Sequence, residues 1–234
     1  MKSKAALLVT IVVTFLLTGC MYPEERKAEN QVPYEDQIIS VQNAVEKYQE
    51  DEGGLLPIKT RDEDTPIYIK YPIDFKKLQP KYIPEPPGNA YESGGVFQYV
   101  LVDVETNPTV KVFDLRIAEK IREIKIRIRS QGYPPFKDSI TKSIFTLDYS
   151  KLGYDSEPYV ISPFTQNNLS FVITGSGEIY VDYISDLYHA IQESEESFQP
   201  GENIINLLTK DSYFVPAYSL PYTVDKNNEP IYLE

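Results

Sequence analysis

The chain contains no tryptophan, one histidine and one cysteine among its 234 residues. A single cysteine excludes an intramolecular disulfide, and it leaves cysteine-ligated zinc and iron–sulfur sites without ligands. The sole histidine, His189, would have to be the base of any serine-type triad, and no G-x-S-x-G motif accompanies it. Nothing after residue 17 is long and apolar enough to read as a membrane-spanning helix. Positive charge is also scarce: 23 Lys and Arg against 35 Asp and Glu give a net charge of −12. That balance disfavours general nucleic-acid binding, because a polyanion is repelled.

The one long apolar run, Ala5 to Leu17, stands at the very start, behind Lys2 and Lys4. It is shorter than the roughly 20 residues needed to cross a bilayer and has the positive flank of a cleaved signal. Leu17, Thr18, Gly19 and Cys20 close it as a lipobox. The Cys20 thiol would take a diacylglyceryl group, and Gly19 is small enough for a peptidase to reach the bond before it. Residues 1–19 are therefore expected to be a lipoprotein signal peptide and 20–34 a lipidated N-terminus and tether. Acyl chains contribute about 0.8 kcal/mol per buried CH2, so two or three hold a domain durably to the membrane. An ordinary signal peptide with a coincidental cysteine is the alternative. Removing Lys2 and Lys4 leaves −14, and an acidic body beside anionic lipid favours an upright, solvated pose.

Downstream, the pattern is helix, stop, short motif, hairpin, and it occurs twice. Ile38, Val41, Val45 and Tyr48 fall on one helical face from about Asp36, and Gly53-Gly54 and Pro57 end it. After a Pro-rich connection, Val96–Val104 and Thr109–Phe113 read as a β-hairpin around Glu105-Thr106-Asn107-Pro108. Asp114 can then cap a second helix with Ile117, Ile121, Ile124 and Ile128 as its stripe, ended by Gly132 and Pro134-Pro135. Residues 123–129 also alternate as a strand would, which is the competing reading. Asp148-Tyr149-Ser150-Lys151-Leu152 echoes Asp74-Phe75-Lys76-Lys77-Leu78, and a second hairpin, Leu169–Thr174 and Glu178–Tyr183, turns at Gly175-Ser176-Gly177. A third, shorter round would place a helix over Ile184, Leu187, Tyr188 and Ile191, a short helix over Asn203–Leu208, and strands over Tyr213–Thr223 and Ile231–Leu233. The expected fold is α+β: tandem helix-plus-antiparallel-sheet units over 35–113 and 114–234, the second closed by a C-terminal αβ extension.

Two stretches of the first unit resemble a known family. Tyr48-Gln49-Glu50-Asp51-Glu52-Gly53 with Pro57 is similar to the Y-x-x-D-x-G…P segment that ends the helix of pilin-like and pseudopilin proteins. Leu78, Tyr82-Ile83-Pro84 and Pro87-Gly88-Asn89-Ala90-Tyr91 are similar to that family's L…YIP…WGNPY stretch, with Pro87 in place of its tryptophan. The resemblance covers 35–113 and implies a helix packed across an antiparallel sheet. The prepilin leader and long assembly helix are not present in this sequence. Taken whole, the chain resembles uncharacterised lipoproteins of Gram-positive, spore-forming bacteria, through lipobox, length and texture. That resemblance implies membrane attachment.

Candidate chemistry is thin. His189 lies in the third predicted helix beside Tyr188 and near Asp186, where a surface role accounts for it as well as a catalytic one. The clusters Glu50-Asp51-Glu52 and Asp62-Glu63-Asp64 offer carboxylates to calcium but fit no EF-hand loop. We expect no metal and no cofactor. The second helix is the one basic element, carrying Arg116, Lys120, Arg122, Lys125, Arg127 and Arg129. These bases either snorkel along the isoleucine stripe or dock an anionic partner, with Arg122, Lys125 and Arg129 as contacts. The other resource is tyrosine, 19 in all. Tyr213, Phe214, Tyr218 and Tyr222 are candidate contacts for an envelope protein or glycan, or else ordinary strand residues. The function expected is a membrane-anchored, non-catalytic binding or assembly module. The alternatives are an envelope-acting enzyme that works through carboxylate and tyrosine side chains, and a pilin-like structural subunit.

Overall fold

The computed structural model describes residues 35–233, which form an α+β fold. The expected signal peptide 1–19, with the lipobox expected at Leu17, Thr18, Gly19 and Cys20, and the expected tether 20–34 lie outside the described residues.

Helix α1 (Glu35–Asp51) forms because Ile38, Val41, Ala44 and Val45 recur at helical spacing and bury one face. Gly53 (φ +66°) and Gly54 (φ +92°) take left-handed conformations just past its end. Two single-turn helices follow, α2 (Ile67–Lys70) and α3 (Phe75–Leu78). The hairpin β1 (Phe97–Val102) and β2 (Thr109–Asp114) then pairs from Phe97↔Asp114 to Val102↔Thr109. Strand β1 is buried on both faces. Phe97, Tyr99 and Leu101 pack into the core under α1, whereas Val100 and Val102 join Ile69, Phe113, Val215 and Ala217 on the other side. Along the far edge of β1, Ile73 N–H donates to Tyr99 O and Leu101 N–H to Tyr71 O, and Lys59 N–H donates in turn to Pro72 O.

Helix α4 (Leu115–Gln131) is capped as its sequence requires. Asp114 Oδ1 accepts from Arg116 N–H at 2.9 Å, and Gly132 at φ +96° ends the helix. Ile117, Ile121 and Ile124 are buried, so the alternating run 123–129 is helical; the isoleucine stripe outweighs local alternation. The second sheet has the order β3 (Phe136–Ser139), β4 (Ile144–Leu147), β7 (Phe171–Thr174), β8 (Ile179–Val181), and β5 (Val160–Ile161) pairs with β6 (Asn168–Leu169) apart from it. Helix α5 (Ile184–Glu193), a 3-10 segment Ile205–Thr209, and the hairpin β9 (Tyr222–Val224) with β10 (Pro230–Tyr232) complete the fold. The Asn203–Leu208 segment is thus 3-10 rather than α, and of Tyr213–Thr223 only the end joins a named strand.

The two sheets correspond strand for strand. Asp74–Leu78 and Asp148–Leu152 each make one helical turn behind an aspartate and bury an aromatic and a leucine: Phe75 and Leu78, Tyr149 and Leu152. Asp74 N–H donates to Pro57 O at 2.7 Å, and Asp148 N–H to Pro135 O at 2.8 Å. In both halves the strand before the motif lies between an outer edge and the inner strand of the hairpin that follows. Strands β3 and β4 carry no readable signal, because β3 is exposed at all four positions and never alternates.

The C-terminal segment joins the two sheets. Val112 N–H donates to Tyr213 O at 2.9 Å and Val215 N–H to Val112 O at 3.0 Å, which sets this stretch parallel to β2. Further along, Val181 N–H donates to Tyr218 O at 2.9 Å, which sets Ser219 beside β8. One segment, turning at Ala217 and Tyr218 between its two bridges, thus covers an edge of each sheet.

Asn89 of the family-like stretch is structural. Asn89 is fully buried, its Oδ1 accepting from Tyr99 Oη at 2.9 Å and its carbonyl from Phe97 N–H at 3.1 Å. Gly95 lies against it so closely that an added Cβ would stand 2.1 Å from the Asn89 carbonyl carbon. Backbone cannot yield as a flexible side chain does. Gly95→Ala is expected to cost about 1–3 kcal/mol or more, read as a lower urea midpoint at unchanged slope. An unchanged midpoint would show that this contact does not constrain the loop.

Candidate functional site

A hollow of about 870 Å³ lies beside α5. One wall is the loop 162–167 between β5 and β6, and the other is the 3-10 segment with residues 210–212. Its lining includes Phe164, Asp186, His189, Glu193, Lys210 and Asp211.

The loop wall is fixed by one carboxylate. Asp186, 1 % exposed, accepts from Ser162 Oγ at 2.8 Å on Oδ2 and from Thr165 Oγ1 at 2.6 Å on Oδ1. Ser162 Oγ also accepts from the N–H groups of Phe164 and Thr165, each at 3.0 Å, so the turn and the helix share a single hydroxyl. Phe164 packs edge-on to the buried Tyr183 at 6.1 Å. Across the hollow, Lys210 Nζ pairs with Glu196 at 2.6 Å. His189 is exposed on α5, with its ring edge-on to Tyr188 at 6.3 Å.

Burial pushes the Asp186 carboxyl above its ordinary value; the Thr165 and Ser162 hydroxyls and the charge of His189 pull it back. Asp182 is raised as well, again chiefly by burial, while its Oδ1 accepts from Ile184 N–H at 3.0 Å at the start of α5. A second hollow of about 510 Å³ opens beside Asp182, Tyr188 and His189. His189 therefore stands between two depressions that flank α5.

His189, the one candidate base of a triad, lines the main hollow, whereas the candidate partner-contact residues fall in three places outside it. Tyr222 is a correction: it is fully buried, its Oη accepts from Tyr183 N–H at 3.0 Å and donates to Val181 O at 3.4 Å, and it offers no surface for docking. Phe214 and Tyr218 are half-buried, packed edge-on to Phe97 and Phe113 where the C-terminal segment crosses the first sheet. Tyr213 is 38 % exposed and donates to Glu35 Oε1 at 2.7 Å. On α4, Lys125 pairs with Glu178 at 2.6 Å, and Arg127 lies 4.0 Å over the Tyr154 ring. Arg122 and Arg129 are exposed and make no ion pair among the described residues. In the acidic cluster 50–52, Asp51 pairs with Lys81 at 2.7 Å; among the described residues no group of three or more His, Cys, Asp or Glu could hold a metal ion.

The hollow itself was not legible in the sequence. Asp186 sits within the apolar stripe of α5, a local signal of a buried polar group, but its hydroxyl partners lie 24 and 21 residues upstream.

Fold and hollow together define an α+β protein with two corresponding helix-and-sheet units and an open polar cleft on the second. Residues 34–114 match the YphF family N-terminal domain, a stretch that begins one residue before α1 and ends on the last residue of β2. No curated protein and no solved structure matches the chain.

The raised aspartates set a sign for pH dependence. A carboxyl with a higher pKa in the folded state holds its proton more tightly there than in the unfolded chain. Its stabilisation is full below the ordinary aspartate value of about 4 and is lost as pH rises through the folded value. Asp186→Asn removes that term. The urea-midpoint advantage of wild type over this variant is expected to be greatest below about pH 4 and to shrink as pH rises. An advantage that stays flat with pH would mean that burial does not strain this carboxyl.

Proposed function

We propose that this protein is a lipid-anchored extracytoplasmic component of the bacterial envelope, a non-catalytic binding or assembly module held at the cytoplasmic membrane through Cys20. The lipobox and the apolar run before it support the address. The described body starts fifteen residues past Cys20, a stretch that reaches at most about 50 Å when extended. Among the described residues no helix is long and apolar enough to cross a membrane. The acidic lining of Glu193, Glu196 and Asp211 against Lys210 and His189 suits a cationic or donor-rich segment of an envelope protein.

The observation that carries binding over catalysis is the state of Asp186. Its two oxygens are both taken by internal hydroxyls, so the carboxylate holds a wall in place instead of facing a substrate. A competing reading, an enzyme working on envelope material, draws on the same cleft, where a buried carboxyl with raised pKa lies near the sole histidine. That reading requires Asp186 to exchange its Ser162 and Thr165 partners for substrate.

In-cell photocrosslinking from Asn167, an exposed residue on the cleft lining, tests the proposal. A discrete adduct is expected in native membranes, lost on Glu193→Lys with Asp211→Lys and shifted to the soluble fraction in Cys20→Ala. An adduct indifferent to charge reversal would remove the cleft from the binding surface. A native protein that fractionates like Cys20→Ala would remove the anchor.

A further inference from the structure

Helix α4 divides its bases into two sets. Lys120 pairs with Glu123 at 2.8 Å, Lys125 with Glu178, Arg127 with Glu123 at 3.3 Å, and Arg116 with Asp114. Arg122 and Arg129 remain, exposed and without an ion pair among the described residues. At about 100° per residue the two lie about 20° apart, with Ile126 about 40° round from Arg122 and opposite the buried Ile117, Ile121 and Ile124. Ile126 is 52 % exposed and Tyr133, just past the helix end, 61 %. The one carboxylate near this arc is Glu119, at its N-terminal end. Tyr133 also rims a hollow of about 610 Å³ whose charged lining is Arg127 and Lys151, with no carboxylate. Every other sizeable depression described on this protein has at least one carboxylate in its lining.

A protein of net charge −12 that leaves two arginines without an ion pair beside an exposed isoleucine, with exposed Tyr133 just past the helix end, has assembled near the end of α4 the features of an interfacial contact. Arginine attracts phosphate, isoleucine enters the acyl boundary, and tyrosine suits the headgroup level. The net negative charge of the whole is repelled by the same membrane, so a basic face fixes an orientation as well as a contact. We propose that the outer face of α4, formed by Arg122, Ile126 and Arg129 and followed by Tyr133 past the helix end, rests on the anionic phospholipid surface to which the chain is anchored. The proposal builds on the lipid-anchor reading of Cys20 and replaces the upright pose that net charge alone favours.

The test uses the full chain produced in bacteria and reconstituted into vesicles. Ile126→Cys carries an environment-sensitive fluorophore, and Ile39→Cys, on α1 and 46 % exposed, serves as control. Lipidated Cys20 takes no label, so labelling of the otherwise unaltered chain reports the anchor separately. With phosphatidylglycerol mixed into phosphatidylcholine, bilayer-resident quenchers are expected to quench residue 126 at least about two-fold more than residue 39. The excess should vanish in pure phosphatidylcholine, in Arg122→Glu with Arg129→Glu, and in about 1 M salt, where the screening length falls to about 3 Å. Equal quenching at 126 and 39 in an anchored chain overturns the proposal and leaves the anchor standing. Should Cys20 take label, the anchor reading fails. The face is then decided by whether added anionic vesicles quench residue 126 in the Cys20→Ser chain.

Discussion

The backbone pairing of residues 213–219 with both sheets is the constraint on which the rest of the architecture hangs. Strands β2 and β8 would otherwise present unpaired N–H and C=O groups, and a buried unpaired group costs about 1–3 kcal/mol. The same segment brings Val215 and Ala217 onto the second face of β1, which is why β1 is buried on both sides. Lys111 adds to the join: its Nζ donates to Thr209 O at 2.7 Å and Ser212 O at 2.6 Å, and desolvation lowers its pKa. The segment therefore positions the second wall of the cleft as well as joining the sheets.

That arrangement explains what could be read from the sequence and what could not. Helices α1 and α4 were legible because each carries its own apolar stripe and its own stops, Gly53-Gly54 in one and Gly132 in the other. The hairpin β1–β2 was legible for a similar reason, being a long run of β-formers around a turn. The Asp74 and Asp148 motifs were legible as an echo, and the fold gives the echo a cause: one helical turn in each, α in the first and 3-10 in the second, a matching buried pair and the same bond to a proline carbonyl. The outer strands were not legible. Residues 57–59 and 71–73 pair over too few positions to make a pattern, and β3 is solvent-exposed throughout.

The tyrosines show the limit most clearly. Composition points to a contact surface, but Tyr222 is buried, and Phe214 and Tyr218 lie half-covered where the sheets are joined. A sequence cannot separate a strand that docks a partner from one that docks its own chain, since both need the same aromatic residues. The cleft was hidden for a related reason: its walls come from two loops and a helix far apart in the chain, and Asp186 alone gives no hint of Ser162 and Thr165.

The closing segment lies about a hundred residues beyond the strand it completes, so the chain emerges from the ribosome in an awkward order. The edge of β2 is made early and stays bare until residue 213 has been synthesised. The nascent first unit is thus a half-finished ladder that invites pairing with any neighbouring strand. Folding is governed by a contact of high sequence separation, and a chain that stops short of the segment inherits two open edges at once. A part of this protein translated late therefore keeps an earlier part to itself.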